Sequence, residues 1–341
     1  MKKLLAAMVV GATVAMFAGC GQKAEETPAP AETTAQETVE APSEAAQEET
    51  KEEETTEGMT FGYLICNERT AFMLDLIQGT QDKCDELGIK LIVNDSDMDP
   101  AKQISQAESM ISQQVDAIIV TAADAEACVP IIEKCNAANI PVVGVCNTFS
   151  GDLQPDGFVG SNDNQSAELA VSALCEALGG EGKIGMISGV AGQSSEVIRG
   201  EATKRLLSEK YPDVELVVED TGSWTRDGAM TLTENWIQKY GEEGLDAIFC
   251  QNDEMAIGTC NALENAGLTG KILVSGIDLI PESKEYLESG KMYADVFQDG
   301  YGQGFKAVEV AFGLVNGEDV GGETWIPFEL VTKENMADYF E

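Results

Sequence analysis

Two stretches of this chain, Val115-Asp116-Ala117-Ile118-Ile119 and Leu245-Asp246-Ala247-Ile248-Phe249, repeat one pattern 130 residues apart. Each is a short apolar run opened by a carboxylate, and each stands third in a series. Phe61 to Cys66, Lys90 to Val93, Ala117 to Val120 and Pro141 to Val145 read as strands of a first set. Lys183 to Ile187, Glu215 to Val218, Ala247 to Cys250 and Ile272 to Ile277 read as a second. Between the first two strands, Met73, Leu76, Ile77, Thr80, Cys84 and Leu87 mark one face at helical spacing. Near-continuous apolar strands alternating with helices predict parallel sheets covered on both faces. The duplication predicts two such α/β halves with a cleft between them. In open parallel sheets ligands lie beyond the carboxyl ends of the strands, so the chemistry is expected there.

The N-terminal segment is of another kind. Lys2 and Lys3 precede an apolar run from Leu4 to Ala18, which is short for a bilayer span and reads as the core of a signal peptide over residues 1–20. It ends in Phe17-Ala18-Gly19-Cys20, which resembles a bacterial lipobox. That resemblance implies lipidation at Cys20 and an anchor in the membrane surface; the alternative is an ordinary helix with a chance cysteine. Residues 21–58 are Glu, Thr, Ala, Pro and Gln with little to bury, including twelve Glu and two Lys. Such a segment cannot offset its own ordering entropy and reads as a disordered acidic linker, with a reach of roughly 35 Å.

The linker carries −10 and the leader +2, so the chain total of −39 leaves −31 on residues 59–341. That stretch is long enough for two lobes. Its acidity argues against nucleic acid, which needs clustered Lys and Arg. With no histidine in the chain, His general bases, His-dependent triads and His-ligated metal sites are excluded. Eight cysteines remain besides Cys20 (Cys66, Cys84, Cys128, Cys135, Cys146, Cys175, Cys250 and Cys260), none in a CxxC pair. Most sit inside apolar patterns, so buried free thiols are expected rather than disulfides.

Planar polar groups gather at the ends of the second set of strands. In Gln251-Asn252-Asp253-Glu254-Met255-Ala256-Ile257-Gly258 a strand stops and a helix begins. Asn252 reads as a helix cap, a ligand group, or both. The fourth strand ends at Asp278, Trp224 and Arg226 follow the second, and Val296-Phe297-Gln298 reads as chain returning across the domain junction. A sugar offers hydroxyls that both donate and accept, which suit forked planar groups, and a C–H face that suits an aromatic ring. Asn252, Asp278, Gln298 and Trp224 supply both. The plainer readings are a cap, a loop carboxylate, a solvated turn and lobe packing, respectively.

From about Thr60 to Phe340 the chain resembles the ribose-type family of periplasmic sugar-binding proteins. The shared stretches are Glu86-Leu87-Gly88, Lys90-Leu91-Ile92-Val93, Asn139-Ile140-Pro141-Val142-Val143, Gln251-Asn252-Asp253-Glu254-Met255-Ala256 and Gly290-Lys291-Met292. The resemblance implies an α/β fold of two doubly wound parallel-sheet lobes joined by a three-strand hinge, the periplasmic-binding-protein type I arrangement. It implies an N-terminal lobe of 59–161 plus 298–322 and a C-terminal lobe of 162–297 plus 323–341. It implies that Trp224 is the stacking aromatic, that Asn252, Asp278 and Gln298 bind hydroxyls, and that Phe72 is an aromatic of the first helix near the ligand.

The first half departs from the family's pattern. Cys146-Asn147 stands where ribose binders carry Asp-Arg, Val197 stands where they carry an arginine with Arg199 two residues later, and Cys66 and Thr121 replace polar positions. Asn147 keeps amide capacity beside Cys146. Arg69 or Glu68, in Asn67-Glu68-Arg69-Thr70-Ala71, is a candidate for supplying the lost charge from another loop; solvation of Arg69 is the alternative. The implied function is capture of a monosaccharide or similar polyhydroxylated molecule by lobe closure. The implied partners are an ABC permease with its ATPase and the membrane that holds the lipid anchor. The chain is expected to be a monomer, without cofactor, metal or catalytic residues. A receptor feeding a chemoreceptor or sensor kinase is the alternative, and a hydrolase using paired carboxylates the enzymatic one.

Overall fold

The computed structural model describes residues 58–340. The signal peptide, Cys20 and the acidic linker up to residue 57 lie outside the described residues. The strands form two six-stranded sheets. The first runs in the order β11-β5-β4-β3-β1-β2, where β1 is Thr60–Ile65, β2 Lys90–Asp95, β3 Ala117–Val120, β4 Val142–Val145, β5 Gly157–Gly160 and β11 Glu323–Trp325. All its pairings are parallel. The second runs β12-β10-β9-β8-β6-β7, with β6 Glu181–Ser188, β7 Asp213–Thr221, β8 Ala247–Cys250, β9 Leu273–Ser275, β10 Ala294–Phe297 and β12 Glu329–Thr332. Only β12 pairs antiparallel, against β10.

The central strands show why their sequences are apolar without alternation. In β3, Ala117 and Ile119 join one core while Ile118 and Val120 join the core on the opposite face. In β8, Ile248 and Cys250 face one core and Ala247 and Phe249 the other. Successive side chains point to opposite faces, and both faces are covered by helices, so every position is buried. The repeated carboxylate has one job in both lobes. Asp116 Oδ2 accepts the Thr60 N–H at the start of β1, and Asp246 Oδ2 accepts the Lys183 N–H in β6, each at 2.7 Å. The carboxylate therefore fixes the register at which each third strand enters its sheet.

Helix α1 (Ala71–Leu87) follows β1; Thr70 caps it through the Met73 N–H, and Gly88 ends it at φ +70°. On its expected apolar face Leu76, Thr80 and Cys84 are buried, and Met73, Ile77 and Leu87 half-buried. All eight described cysteines are buried free thiols, including three inside strands or directly following them, Cys66, Cys146 and Cys250.

Three crossings join the lobes. The chain leaves β5 for helix α4 (Asp163–Ala177), which packs on the second sheet, and leaves β10 for helix α9 (Gly300–Val315), which packs on α1 and the first sheet. The third crossing corrects an expected boundary. The resemblance implies that residues 323–325 belong to the C-terminal lobe, but β11 pairs in parallel with β5 at the edge of the first sheet, and the chain crosses only after Trp325.

Candidate functional site

The carboxyl ends of both sheets meet at a cavity of about 410 Å³, counted with its mouth. From the first lobe it takes Asn67 beyond β1, Thr70, Phe72 and Met73 at the start of α1, and Cys146 and Asn147 beyond β4. From the second it takes Gln193, Ser195 and Arg199 around the first turns of helix α5 (Ser194–Lys210), Trp224, Asn252 beyond β8 and Asp278 beyond β9. Gln298 enters at the crossing after β10. The structure therefore brings together Phe72, Cys146, Asn147, Trp224, Asn252, Asp278 and Gln298.

Arg69 is not among them, which corrects the expectation that it replaces a lost first-lobe charge. Asn67 Oδ1 accepts the Arg69 backbone N–H at 3.0 Å and turns the loop outward, where the Arg69 guanidinium pairs with Asp97. Its side chain is 63% exposed and borders a wider outer opening of about 780 Å³ instead. Glu68 is likewise exposed.

The cationic group of the cavity is Arg199, two residues beyond Val197, which stands at the family's arginine position. Two residues along a helix are a rotation of about 200°, so Val197 is 42% exposed while Arg199 is 3% exposed. Arg199 Nε donates to Asp163 Oδ1 at 2.8 Å, one terminal nitrogen donates to the Gln251 carbonyl, and the other donates to Gln298 Oε1 at 3.1 Å. Phe328 lies 5.9 Å away by its ring centroid. Asp163, Gln298 and Phe328 sit at the first, second and third crossings respectively, so one guanidinium touches all three connections between the lobes. Of its five N–H donors two remain for a ligand.

Asn252 does cap a helix: its Oδ1 accepts the Met255 N–H at 3.0 Å at the start of helix α7 (Asp253–Asn265). The cap uses the oxygen and leaves the amide N–H pair at the cavity wall. Gln298 is 5% exposed, which excludes a solvated turn. Trp224 Nε1 donates to Gln193 Oε1, which fixes the plane of the indole. Asn147 donates to the Ala122 carbonyl at 2.8 Å.

Three of these residues have left-handed backbone: Cys146 at φ +65°, Trp224 at +61° and Asp278 at +128°. Such conformations in non-glycine residues are held by their surroundings and concentrate at functional sites. Asp278 is held by pairing with Phe297. Burial pushes the Asp278 carboxyl well up, against the pull of Arg199. Because Asp163 already neutralises Arg199, the cavity offers no uncompensated positive charge. It suits a neutral molecule that both donates and accepts, held by forks on one side and rings (Trp224, Phe72) on others. No cluster of His, Cys, Asp or Glu able to hold a metal occurs among the described residues.

The chain belongs to the periplasmic binding protein domain family, whose model matches residues 61–319. That family comprises extracytoplasmic solute-binding proteins of ABC transporters, binding sugars and related molecules rather than transforming them. Among its relatives, the chain is 34% identical over 270 residues to a putative rhizopine-binding protein of Rhizobium meliloti, covering 77% of this chain and 87% of that one. It is 31% identical over 274 residues to the xylitol-binding protein of Mycolicibacterium smegmatis, covering 79% and 76% respectively. A crystal structure of an ABC transporter solute-binding protein from Bacillus halodurans with bound myo-inositol superposes with a TM-score of 0.78 at 35% identity, covering 82% of this chain and 96% of that one. The two parallel-sheet lobes are the type I fold of these neighbours.

Proposed function

We propose that this protein captures one neutral polyhydroxylated ring or chain, of the size of a monosaccharide, cyclitol or sugar alcohol, and presents its closed form to an ABC importer. Cys20, through its lipid, holds the protein at the membrane. The observation that carries the reading is Arg199: a buried guanidinium, neutralised by Asp163, with two free N–H donors beside Asp278, Asn252 and the Trp224 indole. Relatives whose names and bound molecules are polyols support the ligand class.

Closure follows from differential affinity. A ligand bonded to Asn252 and Asp278 on one lobe and packed on Phe72 on the other touches both only when the lobes are together. Several charge-assisted hydrogen bonds and a stacked ring reach about −8 kcal/mol, a micromolar dissociation constant.

Isothermal titration of the purified protein against pentoses, hexoses, cyclitols and sugar alcohols tests the reading. Binding of at least one, lost in both Asn252→Ala and Asp278→Ala, is expected. Unchanged affinity in both variants would overturn the site assignment.

A further inference from the structure

The two lobes bring unequal chemistry to the cavity. The second lobe brings Arg199, Asp278 and Asn252, one cation, one carboxyl and one free amide N–H pair. The first lobe brings no charged side chain to the lining at all. Half of its lining is carbon and sulfur, Phe72, Met73 and Cys146, with Cys66 Sγ 3.9 Å from Met73 Sδ just behind; the other half is Asn67, Asn147 and Thr70, whose Oγ1 is taken up by capping α1 through the Met73 N–H.

The first-lobe amides restore little of the missing polarity, one N–H of Asn147 apart. Asn67 Oδ1 accepts the Arg69 N–H at 3.0 Å, and its Nδ2 points at two sulfurs, Cys66 at 3.6 Å and Met98 at 3.5 Å. Asn147 Nδ2 donates to the Ala122 carbonyl, and its Oδ1 faces the Cys146 thiol at 3.8 Å. Even the Gln298 Nε2 donor at the crossing has Cys146 Sγ as its neighbour, 3.9 Å away. Sulfur is a weak acceptor and a thiol a weak donor. Burial pushes the Cys146 thiol well up, so it stays neutral. A ligand hydroxyl aimed at this wall would exchange strong bonds to water for weak bonds to sulfur. A methyl group or bare ring carbon would instead meet soft, polarisable surface that packs well.

We propose that the ligand is hydroxylated on one side only: its hydroxyls face Arg199, Asp278 and Asn252, and its opposite edge, against Phe72, Met73 and Cys146, carries a deoxy position, a methyl or an O-methyl group. This rests on the polyol reading above and narrows it. Met73 and Cys146 are then the residues that set specificity, and the departures of the first lobe from the ribose-type pattern have a chemical purpose.

Titration of the full chain against matched pairs tests this: D-galactose with its 6-deoxy form, and myo-inositol with its mono-O-methyl ethers. The deoxy or methylated member of at least one pair is expected to bind tenfold or more tightly than its fully hydroxylated partner. Cys146→Ser, which swaps sulfur for a strong donor and acceptor at almost the same size, is expected to narrow that preference about tenfold, and Met73→Gln to act in the same direction. Equal or tighter binding of the fully hydroxylated member in every pair overturns the inference while leaving the polyol reading intact. Failure of every compound in both pairs, and of the wider polyol panel, overturns the polyol reading itself. A preference unmoved by both substitutions overturns the assignment of Cys146 and Met73.

Discussion

Replacing Arg199 by methionine separates two roles that one side chain holds together. In the ligand-free protein the change leaves Asp163, itself 6% exposed, without its partner. Burial already pushes the Asp163 carboxyl up, and only Arg199 opposes it. Removing one member of a buried ion pair costs about 3–5 kcal/mol, because the remaining charge is buried uncompensated. At about 2 °C per kcal/mol for a chain of this size, the melting temperature should fall by roughly 6–10 °C. A second substitution, Asp163→Asn, removes the stranded charge, so the double variant should recover at least half of that loss. Ligand affinity should behave differently. The two N–H donors that Arg199 keeps for a ligand are charge-assisted, at about 1.5–3 kcal/mol each, so affinity should fall 100-fold or more in the single variant and stay low in the double one. Circular-dichroism melts and calorimetric titration of the same three samples read both quantities. A single variant that melts within 1–2 °C (about 1 kcal/mol or less) of the parent, or a double variant that regains full affinity, would refute the reasoning.

Further outcomes follow from the same structure. Trp224→Ala should weaken ligand binding roughly 10–100-fold through loss of the stacked ring; Gly189→Ala, whose new methyl would overlap the indole, should reproduce much of that loss by displacing the ring. Asp295, inside the second lobe, is pushed up to about 6 by burial. A carboxyl raised in the folded state contributes stability that is full below its unfolded value near 4 and lost as pH rises through 6. Chemical denaturation should therefore show stability falling as pH rises from 4 to 7, through Asp295 and the Asp253 carboxyl coupled to it, and Asp295→Asn should flatten that slope. The seven described thiols other than Cys146, all buried and away from the cavity lining, should resist a thiol reagent in the native protein and react once it is unfolded; rapid labelling of these seven in the native protein would contradict the packing.

The sheets were legible because burial on both faces writes itself as unbroken apolar runs, and β3 and β8 fall where those runs do. The strands that escaped notice are short and at or near sheet edges: β5, Gly157–Gly160, has two glycines in four residues, β10, Ala294–Phe297, is buried but reads only as chain crossing the junction, and β11 and β12 are largely half-buried or exposed. Most of the site was legible for a related reason, since a parallel sheet delivers the residue after each strand to one edge, as with Asn147, Asn252 and Asp278. Arg199 was not, because its role depends on helical phase. Its signal was the spacing of Ser195, Arg199, Ala202 and Thr203, which puts an arginine on the buried face of α5. Arg69 misled because the direction of a loop is set by bonds such as Asn67 to its backbone, which no periodicity encodes.

The most direct test of the account is native mass spectrometry of the protein purified from its own source without added sugar, followed by release and identification of whatever it retains. The account expects one neutral, hydroxyl-bearing small molecule per chain, lost in Asn252→Ala. Retention of an anionic or hydroxyl-free molecule instead, or of the same molecule undiminished in that variant, would contradict it.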